Sequence, residues 1–270
     1  MTPGWTWRNC RRSFPLVAAL LYGISDPVLP ADYVAIPGGR FESAVPTDGK
    51  SAQPLIAPYR LRTEPVTNTE FLAFVQVHPP WRRDRIASLF ADDRYLAHWS
   101  GPLALRAGAD GPQPVTQVSW FAARAYCESE NARLPTWYEW EFAAAADQQR
   151  RDAREDPAWR EHTLDWYSHP SAASLPAVGG AANVYGVRDL NGVIWEWVDD
   201  FNALLVASDN RDTGDTDRLK FCGAGALSLQ RTDEYAVLMR IAMLSSLQAN
   251  YTTRSLGFRC ARDAASGATP

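Results

Sequence analysis

The chain has 270 residues, enough for one well-buried core, and its 46% hydrophobic and 21% charged content is that of a globular domain. A net charge of -4 without a long run of Lys or Arg in the body argues against nucleic acid, and no stretch reaches the roughly 20 apolar residues that a membrane-spanning helix needs. Its 11 Trp and 19 Pro favour a loop-rich fold packed by aromatics over a helical bundle.

Residues 1–31 read as an export signal: Arg8, Arg11 and Arg12 precede an apolar run over residues 14–24, and the small Ala31 follows a polar stretch containing prolines. Arg11, Arg12, Ser13 and Phe14 also fit the core of a twin-arginine signal, but paired arginines are ordinary in any leader, so both export routes stay open. Cys10 lies ahead of the apolar run and leaves with the signal. The mature domain is then residues 32–270, periplasmic or secreted.

Residues 33–41 (YVAIPGGRF) form a short strand running into a Pro-Gly-Gly turn, and residues 43–54 form a polar loop. Over residues 61–75 a strand gives way to a helix: Thr67 or Asn68 can cap it, Glu70 falls in its first turn, and Phe71, Phe74 and Val75 recur at helical spacing. Residues 78–111, with Pro79, Pro80 and clustered Arg and Asp, read as an ordered insertion or long loop. Strand, helix, turn and helix follow over residues 114–146. Residues 118–120 close the strand, residues 122–130 make an alanine-rich helix, and Thr136 with Glu139 is a capping box for the next. Trp137, Tyr138 and Trp140 are core rather than a ligand platform. The charged residues 147–161 read as a solvated helix surface, and His162 and His169 lack a third partner for a metal.

Residues 183–201 (NVYGVRDLNGVIWEWVDDF) organise the chain, because they mix large apolar residues with acids and glycines at close spacing. A tight turn feeding a strand is the natural reading. Asp189 and Glu196 bring carboxylates, and the backbone at Gly192 and Ile194 can bring carbonyls, a mixture that suits a hard cation such as calcium. Acids in a turn are also simply solvated. The acidic residues 202–220 lack the spacing of an EF-hand loop and read as a surface loop. Cys222 follows in a Gly/Ala-rich turn. Met239 and Met243 are four apart and share a face on a helix, so Cys222 with two thioethers would suit copper(I); the plainer reading makes all three buried apolar residues.

Three segments carry a family resemblance. Residues 183–197, with RLPTWYEWEFAAAA over residues 133–146 and SLGFRCAR over residues 255–262, resemble the formylglycine-generating enzyme and sulfatase-modifying-factor family, whose signature runs N-x-[FY]-G-[LV]-x-D-[ML]-x-G-N-[VA]-W-E-W. PVTNTEFLAFV over residues 65–75 is a weaker fourth. The resemblance implies an α+β, C-type-lectin-like fold with short antiparallel strands, two main helices and many irregular loops. It implies calcium at Asp189, Gly192, Ile194 and Glu196, with a further calcium-binding glutamate at Glu64 or Glu70. A second calcium site is expected to be missing, because residues 168–182 are short. It also implies a disulfide between Cys127 and Cys260, which leaves Cys222 alone in an exported chain. Where the family's oxidases carry two copper-binding cysteines, counting back from Cys260 in register with residues 240–244 finds Arg231 and Ala236. Neither can hold copper, and the family's G-G-S-[WY] segment is altered over residues 221–230, so the resemblance stops short of the oxidase.

Three functions are expected, in order. The first is an accessory or maturation factor for a periplasmic metalloenzyme, because residues 222–262 are most similar to the NirV-type branch associated with copper nitrite reductase systems. The second is an oxidative tailoring enzyme acting on a small molecule or peptide. The third is a lectin-like binding module. Fold alone does not decide among them.

Overall fold

The structure is a computed structural model that describes residues 32–43, 53–106, 111–168, 175–202 and 235–264 together with Met1. The leader, His169, the acidic residues 203–220, Cys222 and Arg231 lie outside the described residues. The fold is α+β, with very short strands. Strands β1 (Tyr33–Ile36), β4 (Tyr59–Arg62) and β7 (Ala261–Asp263) form an antiparallel sheet in the order β1-β4-β7, with Tyr33 opposite Arg62 and Tyr59 opposite Asp263. Strands β2 (Gly39–Arg40) and β3 (Leu55–Ile56) pair antiparallel, and β5 (Trp195–Glu196) pairs parallel with β6 (Leu256–Gly257). The first and last parts of the domain therefore meet in one sheet.

Helix α1 (Asn68–Val77) is capped by Thr67, whose side chain accepts from the Glu70 amide while the Glu70 carboxylate takes the Thr67 amide. Phe71, Phe74 and Val75 point into the core, where Phe71 and Phe74 meet Tyr126 and Phe71 meets Phe258. Helix α2 (Trp120–Ser129) begins earlier than the sequence reading places it, because Ser119 is its N-cap; residues 118–120 close no strand. Helix α3 (Trp137–Ala144) opens with the expected Thr136/Glu139 capping box and buries Trp137 and Trp140. Two further helices are α4 (Pro157–Ser168), led in by Asp156 accepting from the amides of Ala158 and Trp159, and α5 (Tyr235–Ser245). Residues 147–156 are thus not helix but an Arg-Asp-rich turn.

The insertion after α1 is ordered, as its composition suggests. A 3-10 turn (Pro79–Trp81) leads to buried Tyr95, Leu96 and Trp99. The Leu96 amide donates to the Gln117 carbonyl at 2.9 Å and the Thr252 hydroxyl to Asp92 at 2.5 Å, so the segment is seated on two distant parts of the chain.

A disulfide joins Cys127 on α2 to Cys260 beside β7, with Cα atoms 5.5 Å apart and a sequence separation of 133. A bridge of this kind typically contributes about 2–4 kcal/mol. The parallel β5/β6 pair needs Gly257: a Cβ there would stand 2.2 Å from the Val115 carbonyl oxygen and 2.8 Å from Ile194 Cδ1. Backbone cannot give way cheaply. Gly257→Ala is therefore expected to lower stability by about 2 kcal/mol. Thermal unfolding should show a Tm drop of roughly 4–8 °C; an unchanged Tm would mean that this backbone approach is looser than it looks.

Candidate functional site

The signature stretch folds by anchoring its asparagines. The Asn183 side chain accepts from the amides of Tyr185 and Val187, each at 3.0 Å, and donates to the Ala143 carbonyl at 2.9 Å. Asn191 donates to the Ala144 carbonyl at 3.0 Å. Both thus satisfy carbonyls that the C-terminal end of α3 leaves open. Gly192 turns the chain at a φ of 103°, a conformation in which side chains are strained. Strand β5 then sends Trp195 one way, where its ring lies 5.1 Å from that of Trp166 on α4, and Glu196 the other. Trp197 follows, fully buried, its indole donating to the Val118 carbonyl at 3.0 Å.

Glu196 lies at the centre. Its carboxylate and the Arg259 guanidinium are both 0% exposed, and they pair through Arg259 Nη2 to Oε1 at 2.8 Å and Nε to Oε2 at 2.9 Å. The Trp140 indole donates to Oε2 at 2.8 Å. Arg259 spends its remaining donors on the carbonyls of Arg62, Thr63 and Arg188. Arg240 on α5 donates to the Glu196 carbonyl at 2.6 Å while its guanidinium lies 3.5 Å from the centre of the Trp140 ring. Two arginines thus meet one carboxylate and its backbone.

Asp189 sits elsewhere in the turn, accepting from the amides of Gly179 at 2.7 Å and Gly180 at 3.0 Å. It adopts a φ of 57°, which aspartate tolerates better than most residues. The calcium set expected at Asp189, Gly192, Ile194 and Glu196 therefore meets a difficulty of chemistry. Glu196 is already neutralised by a guanidinium and donated to by an indole, and such a carboxylate does not fit a cation. Val193, where the family signature has asparagine, adds no side-chain oxygen, and Ile194 is buried against the close approach at Gly257. Glu70 is likewise committed, to Arg62 and to the cap of α1, and the Glu64 carboxylate lies 3.8 Å from Arg188. Among the described residues no three His, Cys, Asp or Glu side chains gather in a way that could hold a metal ion.

A second buried network surrounds Arg62. It pairs with Glu70 and with Glu130 at 3.2 Å, and Glu130 also accepts from the hydroxyls of Tyr126 at 2.8 Å and Tyr33 at 2.9 Å. Burial first, then the adjacent Glu130 carboxylate, pushes the Tyr33 phenol well above its ordinary range. Tyr33 therefore stays a donor at any physiological pH. This network ties β1, β4, α1 and α2 together.

Cys127 and Cys260 are spent on the disulfide. On α5, Met243 packs partly buried against the core while Met239 is 41% exposed, and their proposed partner Cys222 lies outside the described residues. His162 stands beside the signature turn, its Nε2 3.6 Å from where a Gly192 side chain would begin. What the sequence reading missed is Arg259 and Arg240. A glutamate between two tryptophans should have demanded a buried cation, and the arginine of GFRC was the available one.

Short strands, capped helices and side-chain-anchored loops around a buried ion pair define an α+β domain of the C-type-lectin-like kind. The chain belongs to the family of the Sulfatase-modifying factor enzyme 1-like domain, which it matches over residues 25–264. It is 28% identical to the formylglycine-generating enzyme of Streptomyces coelicolor over 86% of this chain and 89% of that one. It is 32% identical to the hercynine oxygenase of Mycobacterium tuberculosis, over 53% of this chain but only 37% of that protein. It is 26% identical to the inactive C-alpha-formylglycine-generating enzyme 2 of Bos taurus, over 61% of this chain and 69% of that one. Among the described residues no helix is long and apolar enough to cross a membrane.

The ion pair makes a direct prediction. Glu196→Gln leaves a buried guanidinium uncompensated and should cost about 3–5 kcal/mol in denaturant unfolding. Glu196→Gln combined with Arg259→Met should recover part of that loss, because no buried charge is then left alone. A loss below about 1 kcal/mol in the single variant, the size of an exposed pair, would mean that the two charges are not isolated from water.

Proposed function

We propose that the chain is an exported accessory or maturation factor for a periplasmic metalloenzyme, and that it does not carry out formylglycine-generating oxidation. The observation that carries this reading is the disulfide. Of the four cysteines, Cys127 and Cys260 are joined, and Cys10 falls in the segment read as a removable leader. Cys222 remains. Tight copper(I) binding that activates oxygen asks for two soft thiolates, and a single chain with one free thiol cannot provide them. Arg231 and Ala236 stand where the family's oxidases have cysteines, which supports the same reading. A bovine relative whose name records it as inactive is consistent with members of this family that work without the oxidase chemistry.

The likeness of residues 222–262 to the NirV-type branch directs the proposal toward copper, with a copper-containing nitrite reductase as the partner. Cys222, with the partly exposed Met239 nearby in sequence, is the group that would handle the ion. A second reading has a specific support. Similarity to a hercynine oxygenase favours oxidative tailoring of a small molecule, through residues other than a cysteine pair.

Copper(I) titration of the mature chain against a competing chelator is the test, beside Cys222→Ser. One copper(I) is expected to bind, and the variant is expected to lose it. Oxygen-dependent aldehyde formation on a cysteine-containing peptide is expected from neither protein. Aldehyde formation would overturn the proposal, and so would copper(I) binding that survives Cys222→Ser. Reconstituting a copper-depleted nitrite reductase with copper, with and without the chain, checks the partner. Equal recovery of activity would remove that partner.

A further inference from the structure

A cavity of about 400 Å³ opens between the β1–β2 turn, α3 and the Arg-Asp-rich turn before α4, and shares no lining residue with Asp189, Gly192, Ile194 or Glu196. Its size falls in the lower part of the range for small-molecule sites. Phe41, Phe142 and Tyr185 form one aromatic wall, with Phe41 edge-on to Phe142 at 5.6 Å between centroids and Phe142 stacked on Tyr185 at 5.8 Å. Such a wall prefers a flat ring.

The charges around it are unevenly spent. Arg154 lies 4.3 Å over the Phe41 ring, held by Asp152 at 2.7 Å and by the Glu42 carbonyl at 2.6 Å, so it is fixed structure rather than a free cation. Glu155 is paired with Arg160 at 3.4 Å, and Glu42 is also engaged. The Ser43 hydroxyl donates to buried Glu141 behind this wall. The guanidinium groups of Arg40 and Arg151 line the same cavity and make no hydrogen bond or ion pair among the described residues. Arg151 is near enough to Tyr185 to act on its phenol electrostatically, although burial outweighs it and keeps the phenol above its ordinary range, a protonated donor. An aromatic wall, two uncommitted guanidinium groups and a phenolic donor thus face one space.

We propose that this cavity binds a small aromatic carboxylate, its ring on Phe142 and Tyr185 and its carboxylate on Arg151 and Arg40. Guanidinium groups suit a carboxylate because they can offer two parallel donors to its two oxygens. The assignment is independent of the role proposed for Cys222. It gives this family member a place to sense or present a metabolite without any redox step.

Titration calorimetry of the mature chain with benzoate and 4-hydroxybenzoate, beside cyclohexanecarboxylate and benzyl alcohol, tests it. The two aromatic acids are expected to bind at millimolar concentration or better, and the two controls at least tenfold more weakly. Arg151→Ala and Arg40→Ala change exposed side chains and should fold; each is expected to weaken benzoate roughly tenfold, the loss of one charged hydrogen bond. Phe142→Leu should weaken both aromatic acids while leaving cyclohexanecarboxylate as it was. Benzoate binding unchanged in the Arg40→Ala, Arg151→Ala double variant would overturn the proposal. So would benzyl alcohol binding as well as benzoate, or no binding of either acid to a folded wild-type chain.

Discussion

A carboxylate buried between two tryptophans can stay charged only with a cation against it, and the position of Arg259 against Glu196 fixes how the rest of the domain must meet. Removing both ions from water carries a penalty of several kcal/mol each, offset only when the geometry is close and every other donor is used. Here it is: Glu196 receives two donors of Arg259 and the Trp140 indole, and Arg259 gives its remainder to carbonyls at residues 62, 63 and 188. Four segments far apart in sequence, around residues 62–63, 140, 188–196 and 259, therefore converge on one pair. A slip of one residue in β5 would turn Glu196 toward Trp166 and leave the guanidinium alone. The pair thereby penalises a slipped register.

That pair matters because regular structure is scarce. Strands of two to four residues leave most backbone groups without a ladder partner, and each buried one still needs a hydrogen bond. Side chains supply them at points where a longer sheet would have used backbone. Asn183 and Asn191 close the end of α3, Asp189 gathers the amides of Gly179 and Gly180, and Asp92 holds Thr252. Burial alone would raise the Asp92 carboxyl, but hydrogen bonds from Thr252 and Arg94 outweigh it and hold the group below the usual carboxylate range, so that it stays an acceptor at neutral pH. The Cys127–Cys260 bridge complements these local ties by restricting the unfolded chain over a long loop.

Local features of this arrangement were legible before any coordinates. The Thr136/Glu139 capping box needs only a Thr and a Glu three residues on, and the core face of α1 needs only the spacing of Phe71, Phe74 and Val75, whereas its cap stayed open between Thr67 and Asn68 until the structure showed Thr67 in a second capping box with Glu70. The disulfide and the lectin-like fold followed from family resemblance rather than from spacing. The partners of Glu196 lie 56 and 63 positions away, so no local spacing marks them, and only the burial implied by its two flanking tryptophans pointed to a cation such as Arg259. The motif that suggested calcium also sets Glu196 in an ion pair: a glutamate in a turn and a glutamate on a short strand look alike in sequence, and burial separates them. Residues 147–156 failed for a similar reason, since Asp147, Arg150 and Asp156 bind one another in a turn rather than across helical turns. Arg151 lay in a stretch read as solvated surface and Arg40 beside a turn, and only their shared cavity makes them notable.

Many of the reactive groups are already engaged in holding the fold. The two most deeply buried charges hold the fold, the Arg62 cluster holds the first sheet to α1 and α2, and two cysteines are joined. None of these can be lent to chemistry without loosening the domain. Cys222, outside the described residues, is the thiol that the cysteine count leaves in the proposed mature chain, and at the cavity beside Phe142 the Arg40 and Arg151 guanidinium groups make no hydrogen bond or ion pair among the described residues. These differ in kind. A lone thiol with a thioether favours a soft ion passed between partners, since fewer ligands release it faster, whereas a ring-lined cationic cavity favours an organic anion held in place. Both proposals nonetheless ask the protein to bind and hand over rather than to carry out an oxidation that needs two thiolates at once.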